Sequence, residues 1–174
     1  MSRLAKINWN DATNGEGVCV SIFVQGCPYH CPGCFNQETW NPEGGQPINF
    51  PEFIRELIDK IQENGVERGL SFLGGEPLVS YNLEFVDKVT TIIKAIYPTT
   101  PVYIWTGGLF ENHLEEAKHN PTLAHILSLT DVMIDGPYVQ EKRDITLYLR
   151  GSSNQRVIDV QASLEAGYTK LLCN

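Results

Sequence analysis

Three cysteines stand within eight residues, in the run Cys27-Pro-Tyr-His-Cys31-Pro-Gly-Cys34. Thiolates at such spacing hold zinc or an iron–sulfur cluster. A structural zinc site closes at four ligands, and the remaining candidates fit poorly. His30 is adjacent to Cys31, Cys19 sits in the middle of an apolar run, and Cys173 stands beside the last residue. Three thiols without an evident fourth suit a 4Fe–4S cluster with one iron left open, which is a place to bind a substrate. Zinc and unliganded thiols are the alternatives at this point.

A second group is Gly74-Gly75-Glu76-Pro77. Paired glycines bare the backbone and allow a ligand to approach it closely. Carbonyls exposed in this way suit an ammonium group, whereas the competing reading is an ordinary strand-to-helix turn. Two more apolar runs end in polar or small residues, at Thr106-Gly107 and Asp135-Gly136. Capping of a helix is the plain alternative for both Thr106 and Asp135.

These residues need elements to carry them. Residues 18–24, 70–73, 102–105 and 132–134 are short, nearly continuous apolar runs, the pattern of strands buried on both faces of a parallel sheet. Between them, residues 52–63, 83–97 and 113–129 repeat apolar side chains at helical spacing, the last broken by Pro121. Residues 155–160 and 170–172 are expected as final strands with a short helix at 162–166, and 41–47 as a loop. Strand–helix alternation with long crossovers predicts an α/β fold. A full eight-unit barrel needs at least ~200 residues, so the expectation is a partial (β/α) barrel of about five to six units with a mainly parallel, splayed sheet. A doubly wound sheet is the second choice. In either fold ligands bind at the C-terminal ends of the strands, where all of the groups above would lie.

A chain of 174 residues with 42% hydrophobic side chains is long and apolar enough for one domain, expected to span residues 1–174. The net charge of −8 argues against sequence-independent nucleic-acid binding, which needs clustered Lys and Arg. No apolar run nears the ~20 residues of a membrane span, and residues 1–17 lack the apolar core of a secretory signal. A cytoplasmic location is expected, where cysteines stay reduced. Residues 1–136 carry 8 basic and 17 acidic side chains, and residues 137–174 carry 5 and 4. The second stretch, with Arg143, Arg150 and Arg156, is the better dock for an anion.

The CxxxCxxC run after the first apolar strand and the GGEP run after the second resemble the radical S-adenosylmethionine superfamily. GCPYHCPGCFNQETW, the DGPY at residues 135–138, the RGSSNQRVIDV at residues 150–160 and the small size narrow the resemblance. They are similar to the enzymes that activate anaerobic ribonucleoside-triphosphate reductase, from about Gly15 to Val160. One departure concerns the third cysteine. Many superfamily members place an aromatic just before it; here that residue is Gly33, and the aromatic is Phe35 just after.

The resemblance implies a 4Fe–4S cluster on Cys27, Cys31 and Cys34, with S-adenosyl-L-methionine on the open iron. It implies backbone contact of Gly74 and Gly75 with the methionine ammonium, Glu76 nearby, and Phe35 and Asn36 at the adenine. Thr106 and Asp135 would reach the ribose or amino-acid part, and Arg150 a carboxylate of the cofactor or an acidic patch on the partner. The implied product is a glycyl radical on the large subunit of the reductase, with a low-potential electron donor such as flavodoxin. An activase of another glycyl-radical enzyme, and a non-catalytic iron–sulfur or zinc module, are the competing classes.

Overall fold

The computed structural model describes residues 2–173. In chain order the elements are β1 (Arg3–Asp11), β2 (Cys19–Val24), β3 (Gln46–Pro47), α1 (Phe50–Ile61), β4 (Gly69–Gly74), α2 (Ser80–Ile96) and β5 (Val102–Trp105). They continue with α3 (Phe110–Ala117), α4 (Pro121–Leu129), β6 (Val132–Asp135), β7 (Arg156–Asp159), α5 (Val160–Ala166) and β8 (Leu171–Cys173). Among the described residues the strands form one open sheet in the order β3-β1-β2-β4-β5-β6-β7-β8.

The centre of this sheet is the expected one. β2, β4, β5 and β6 are parallel neighbours, joined through α1, α2 and the α3–α4 pair. The flanks differ from the expectation. β1 pairs with β2 antiparallel, β3 with β1, β7 with β6 and β8 with β7. Parallel neighbours need a long crossover, whereas antiparallel ones need only a turn or loop. Seven residues link β1 to β2, and no α-helix links β6 to β7, so both pairs run antiparallel. Three crossovers replace the five or six units expected, and four of the seven pairings are antiparallel.

The period of two along the strands sorts side chains to opposite faces. Val20, Ile22 and Val24 of β2, Leu70 and Phe72 of β4, Ile104 of β5 and Met133 of β6 belong to one buried cluster. The helices complete that cluster: Leu57 and Ile61 from α1, Val86, Val89 and Ile93 from α2, Phe110 from α3, Leu123 and Ile126 from α4, and Val160 from α5. Helices on one face of the sheet rule out the doubly wound alternative, which needs them on both. The other face is covered by irregular chain. There the Ser71 hydroxyl donates to the Asn14 carbonyl, the Glu16 amide to the Tyr103 hydroxyl, and the Trp105 indole N–H to the Leu149 carbonyl. Residues 12–17 and the long loop 136–155 therefore supply the cover. A loop of that length in a compact domain is usually functional.

Pro121 does not merely break a helix. It occupies the first turn of α4, where its missing N–H costs nothing, and the Asn120 side chain accepts from the Leu123 amide at 3.2 Å.

Candidate iron–sulfur and cofactor site

The β2–β4 register runs from Cys19 opposite Gly69 to Val24 opposite Gly74, so both strands end level. Their continuations then bond to each other. The Gly75 amide donates to the Val24 carbonyl at 2.9 Å, and the Glu76 amide to the Gly26 carbonyl at 2.8 Å. The cysteine loop is thus pinned at its first residue to the glycine-rich turn. Its far side is pinned by Gly26 N–H to the Thr39 carbonyl and Cys27 N–H to the Trp40 carbonyl. Inside the loop, Gly33 lies at φ 75°, which the reversal from Cys31 to Cys34 requires, and Cys34 N–H closes that turn onto the Cys31 carbonyl. His30, also at positive φ, stacks its ring on Trp40 with centroids 4.7 Å apart.

One cavity of about 380 Å³ opens where the strands end. Cys27, Cys31 and Cys34 line it, as do Phe35, Asn36, Gly74, Gly75, Glu76, Thr106 and Arg150. The three thiols are half-buried, and among the described residues no group of three or more His, Cys, Asp or Glu, these thiols included, stands close enough together to hold a single metal ion. Burial pushes the Cys27 thiol up, and the nearby Glu76 carboxylate adds to this. A thiolate there needs positive charge beside it, and a bound iron–sulfur group provides that. The donor set therefore fits such a group.

Glu76 is 3% exposed. Its carboxylate accepts from the Leu78 amide at 3.0 Å and from the Gly107 amide at 2.8 Å, tying the end of β4 to the end of β5. Burial pushes it up to about 7, against the pull of those amides and of the Thr106 hydroxyl. Phe35 is 55% exposed; its ring lies 5.0 Å from Tyr138 and 5.5 Å from the Arg143 guanidinium, within cation–π range. The tip of the cysteine loop is thereby docked on the 136–155 loop.

A family of domains described as a 4Fe-4S single cluster domain matches residues 13–158. The anaerobic ribonucleoside-triphosphate reductase-activating protein of Escherichia coli K12 is 35% identical over 148 residues, 84% of this chain and 92% of that protein. The protein of the same name from phage T4 is 34% identical over 147 residues, 84% of this chain and 87% of its own length. The one from Haemophilus influenzae is 32% identical over 147 residues, 83% of this chain and 90% of its own. The chain belongs to the anaerobic ribonucleoside-triphosphate reductase-activating protein family. It carries that family's single-cluster 4Fe–4S domain.

Within this activating-protein family fold, most of the residues singled out by sequence meet at the one cavity. Asp135 does not. It is fully buried, and its carboxylate accepts from the Phe110 amide at the start of α3 and from Arg156 Nε at 2.9 Å and Nη2 at 2.5 Å. Capping and ion pairing occupy it, and it is absent from the cavity wall. Ser152 and Asn154 of the RGSSNQ run bond within their own loop, to the Val139 amide and the Pro137 carbonyl. Cys19 is buried against Gly15 and Gly69, and Cys173 lies on β8; neither reaches the cavity. Arg150 does, with its Nη1 also 3.4 Å from the Gln155 carbonyl.

Sequence reasoning missed several wall residues. Tyr29, between the first two cysteines, packs against Gly107, where a Cβ would come within 2.6 Å of its ring. Leu147 and Leu149 arrive from the cover loop. Their one signal was an apolar alternation inside an otherwise polar stretch.

Proposed function

We propose that this chain installs a glycyl radical on anaerobic ribonucleoside-triphosphate reductase, using a 4Fe–4S cluster on Cys27, Cys31 and Cys34 with S-adenosyl-L-methionine in the adjoining cavity. The observation that carries this reading is the meeting of three thiols and two glycine-rich strand ends in one cavity, in a chain of the activating-protein family. When bound, the two groups together supply a one-electron cleavage of the C5′–S bond, giving methionine and a 5′-deoxyadenosyl radical that takes a hydrogen atom from a glycine Cα of the large subunit. A low-potential donor of the flavodoxin class provides the electron.

The chain's own residues position and shield. Gly74 and Gly75 leave backbone bare beside the thiols, and a Cβ on Gly75 would come within 2.8 Å of the Val24 carbonyl oxygen. That close approach suits carbonyls turned toward an ammonium group. Phe35 and Asn36 follow the third thiol and offer a ring face and an amide to an adenine. Arg150 offers a guanidinium to a carboxylate. Trp105, Leu147 and Leu149 form an apolar wall that excludes water and bystander groups from a reactive radical. Such positioning is worth ~7–11 kcal/mol of barrier in well-oriented reactions. Helices on one face and the cavity on the other fit a splayed partial barrel, read as a single radical S-adenosylmethionine domain over 1–174.

The test is anaerobic iron and sulfide loading, reduction with S-adenosyl-L-methionine, and assay of 5′-deoxyadenosine alone and of the glycyl radical by EPR with the reductase large subunit. Both products are expected. Zinc uptake without iron would return the chain to a structural metal module. Production of 5′-deoxyadenosine with no radical on the reductase would point to another glycyl-radical partner.

A further inference from the structure

Two buried carboxamides join the strand ends that carry the site, and the reading above uses neither. Gln25, the residue after β2, is 2% exposed, as is Asn82 in the first turn of α2. Neither lines the cavity. Gln25 turns both of its amide protons to the far end of the cysteine loop: Nε2 donates to the Glu38 carbonyl at 2.9 Å and to the Asn41 carbonyl at 2.7 Å. Asn82 joins the loop to the glycine-rich turn: Nδ2 donates to the main-chain carbonyls of Gln25 and Glu76, each at 3.0 Å.

Packing alone calls for neither group. Asn82 stands beside Leu83, Phe85 and Val86 on the buried side of α2, where an apolar side chain would serve. Gln25 leaves its Oε1 buried with no hydrogen-bond partner among the described residues, a cost that an apolar side chain avoids. The bonds instead fix two peptide groups. A trans peptide points its N–H and C=O in opposite directions. In the peptide from Gln25 to Gly26 the carbonyl accepts from Asn82 and the N–H donates to the Thr39 carbonyl at 2.7 Å, so the entrance to the cysteine loop is gripped from both ends. The peptide from Glu76 to Pro77 has no N–H. Its orientation rests on its carbonyl, which accepts from Asn82 and, at 3.5 Å, from the Val79 amide.

We propose that these carboxamides are positioning residues with separate tasks: Gln25 closes the cysteine loop on itself and so keeps the three thiols together, whereas Asn82 fixes the glycine-rich turn against that loop and so sets the cofactor's place beside the thiols. Both tasks rest on the reading of the cavity given above. Neither residue touches a reacting atom; each acts through the backbone it holds, and a site keeps its geometry through such supports. The tasks are separable because each substitution spares the other's bonds. Gln25→Leu retains the main-chain carbonyl that Asn82 grips. Asn82→Leu retains the Gln25 side chain and the Gly26 and Cys27 amide bonds to the loop exit.

The experiment loads each protein anaerobically with iron and sulfide and reads three quantities. These are iron per chain, S-adenosyl-L-methionine affinity of the loaded fraction by calorimetry, and hydrogen exchange at the Gly75 and Glu76 amides by mass spectrometry. Gln25→Leu is expected to hold less than about half the normal iron, with affinity of the loaded fraction within about threefold of normal. Asn82→Leu is expected to keep its iron, bind the cofactor at least tenfold more weakly and exchange the Gly75 and Glu76 amides faster. A folded variant that keeps both iron and affinity, or loses both together, overturns the proposal. Where leucine prevents folding, Gln25→Met and Asn82→Ser take its place with the same expectations; failure of these to fold makes the carboxamides plain parts of the fold and overturns it as well. If the unmodified protein takes up iron but binds no S-adenosyl-L-methionine, the cofactor reading fails instead, and iron content and the Gly75 and Glu76 exchange still decide the two tasks.

Discussion

Removing the guanidinium of Arg156 should expose what Asp135 is for. Asp135 is fully buried at the end of β6, and Arg156 reaches it with two nitrogens while its other edge meets Glu111 at 2.7 Å. In Arg156→Leu, only the Phe110 amide, at 2.8 Å, remains among the hydrogen bonds described to that carboxylate. Breaking a buried pair from one side costs ~3–5 kcal/mol, because the orphaned charge stays behind. Arg156 is itself 30% exposed in its side chain, so water screens part of the pair and the lower end, ~3 kcal/mol, is expected. For a chain of this size each kcal/mol moves the melting temperature by ~2–4 °C, giving a loss of roughly 6–12 °C. Differential scanning calorimetry measures it. Asp135→Asn combined with Arg156→Leu should regain most of the loss, since an asparagine oxygen still accepts from Phe110 and no charge is stranded. Glu111→Gln, at an exposed position, should cost less than ~1 kcal/mol. If Arg156→Leu melts within 2 °C of the unmodified protein, or the double variant is no better than the single, the ion-pair argument fails.

Cys34→Ser should abolish cluster loading and 5′-deoxyadenosine production, while Cys19→Ser, altered at the opposite end of β2 from the cysteine loop, should keep both; iron analysis separates them. Gly75→Val should lose iron as well as cofactor affinity, because its side chain would press on the Val24 and Gly26 carbonyls that set the position of Cys27; normal iron content in a folded variant would contradict this. Glu76 titrates near 7 in the fold against 4.5 for the free carboxyl, so the folded state binds its proton more tightly. The stability this contributes is full below about 4.5 and lost as pH rises through about 7; urea midpoints of the cofactor-free protein should show a slope over that window that Glu76→Gln removes. Arg150→Ala should keep the cluster, and loss of 5′-deoxyadenosine production would assign Arg150 to the cofactor. Loss of reductase activation alone, with salt-sensitive partner binding, would assign it to docking.

The parallel strands were legible because strands covered on both faces are apolar at nearly every position, as in the Val102–Trp105 run of β5. That the three thiols act as one group was legible because all three fall in one turn-rich loop, and the structure brings them to one cavity. β1 was not legible. Its side chains alternate between half-buried and exposed, with Lys6 and Asn8 facing the pairing to β2, so no apolar run marks it. Asp135 shows a second limit. A carboxylate at a strand end can cap, pair or bind a ligand, and the residue that decides is Arg156, brought opposite by the antiparallel return of β7. Local sequence carries no trace of that pairing.

The cover over the bare face of the sheet has a consequence for when the molecule is open. Loop 136–155 bonds extensively to itself: Gln155 accepts from the Gly151 and Ser152 amides and donates to the Gly136 carbonyl, and Ser153 N–H reaches the Lys142 carbonyl. Its hydrogen bonds outward include the Trp105 indole to the Leu149 carbonyl and the Gly136 amide to the Gly108 carbonyl, beside the ring contacts of Tyr138 and Arg143 with Phe35. A segment so arranged can detach whole, keeping its internal bonds and leaving the sheet and helices undisturbed. Ile145 is already 77% exposed while lining the cavity, so the apolar surface such a detachment releases to water comes from the half-buried Leu147 and Leu149. Amide exchange across 136–155 should then proceed at one common rate, well above that of β2 and β4. A large polypeptide substrate could reach the reacting centre by waiting for this excursion, and turnover would be paced by the frequency of the excursion rather than by the chemistry beneath it.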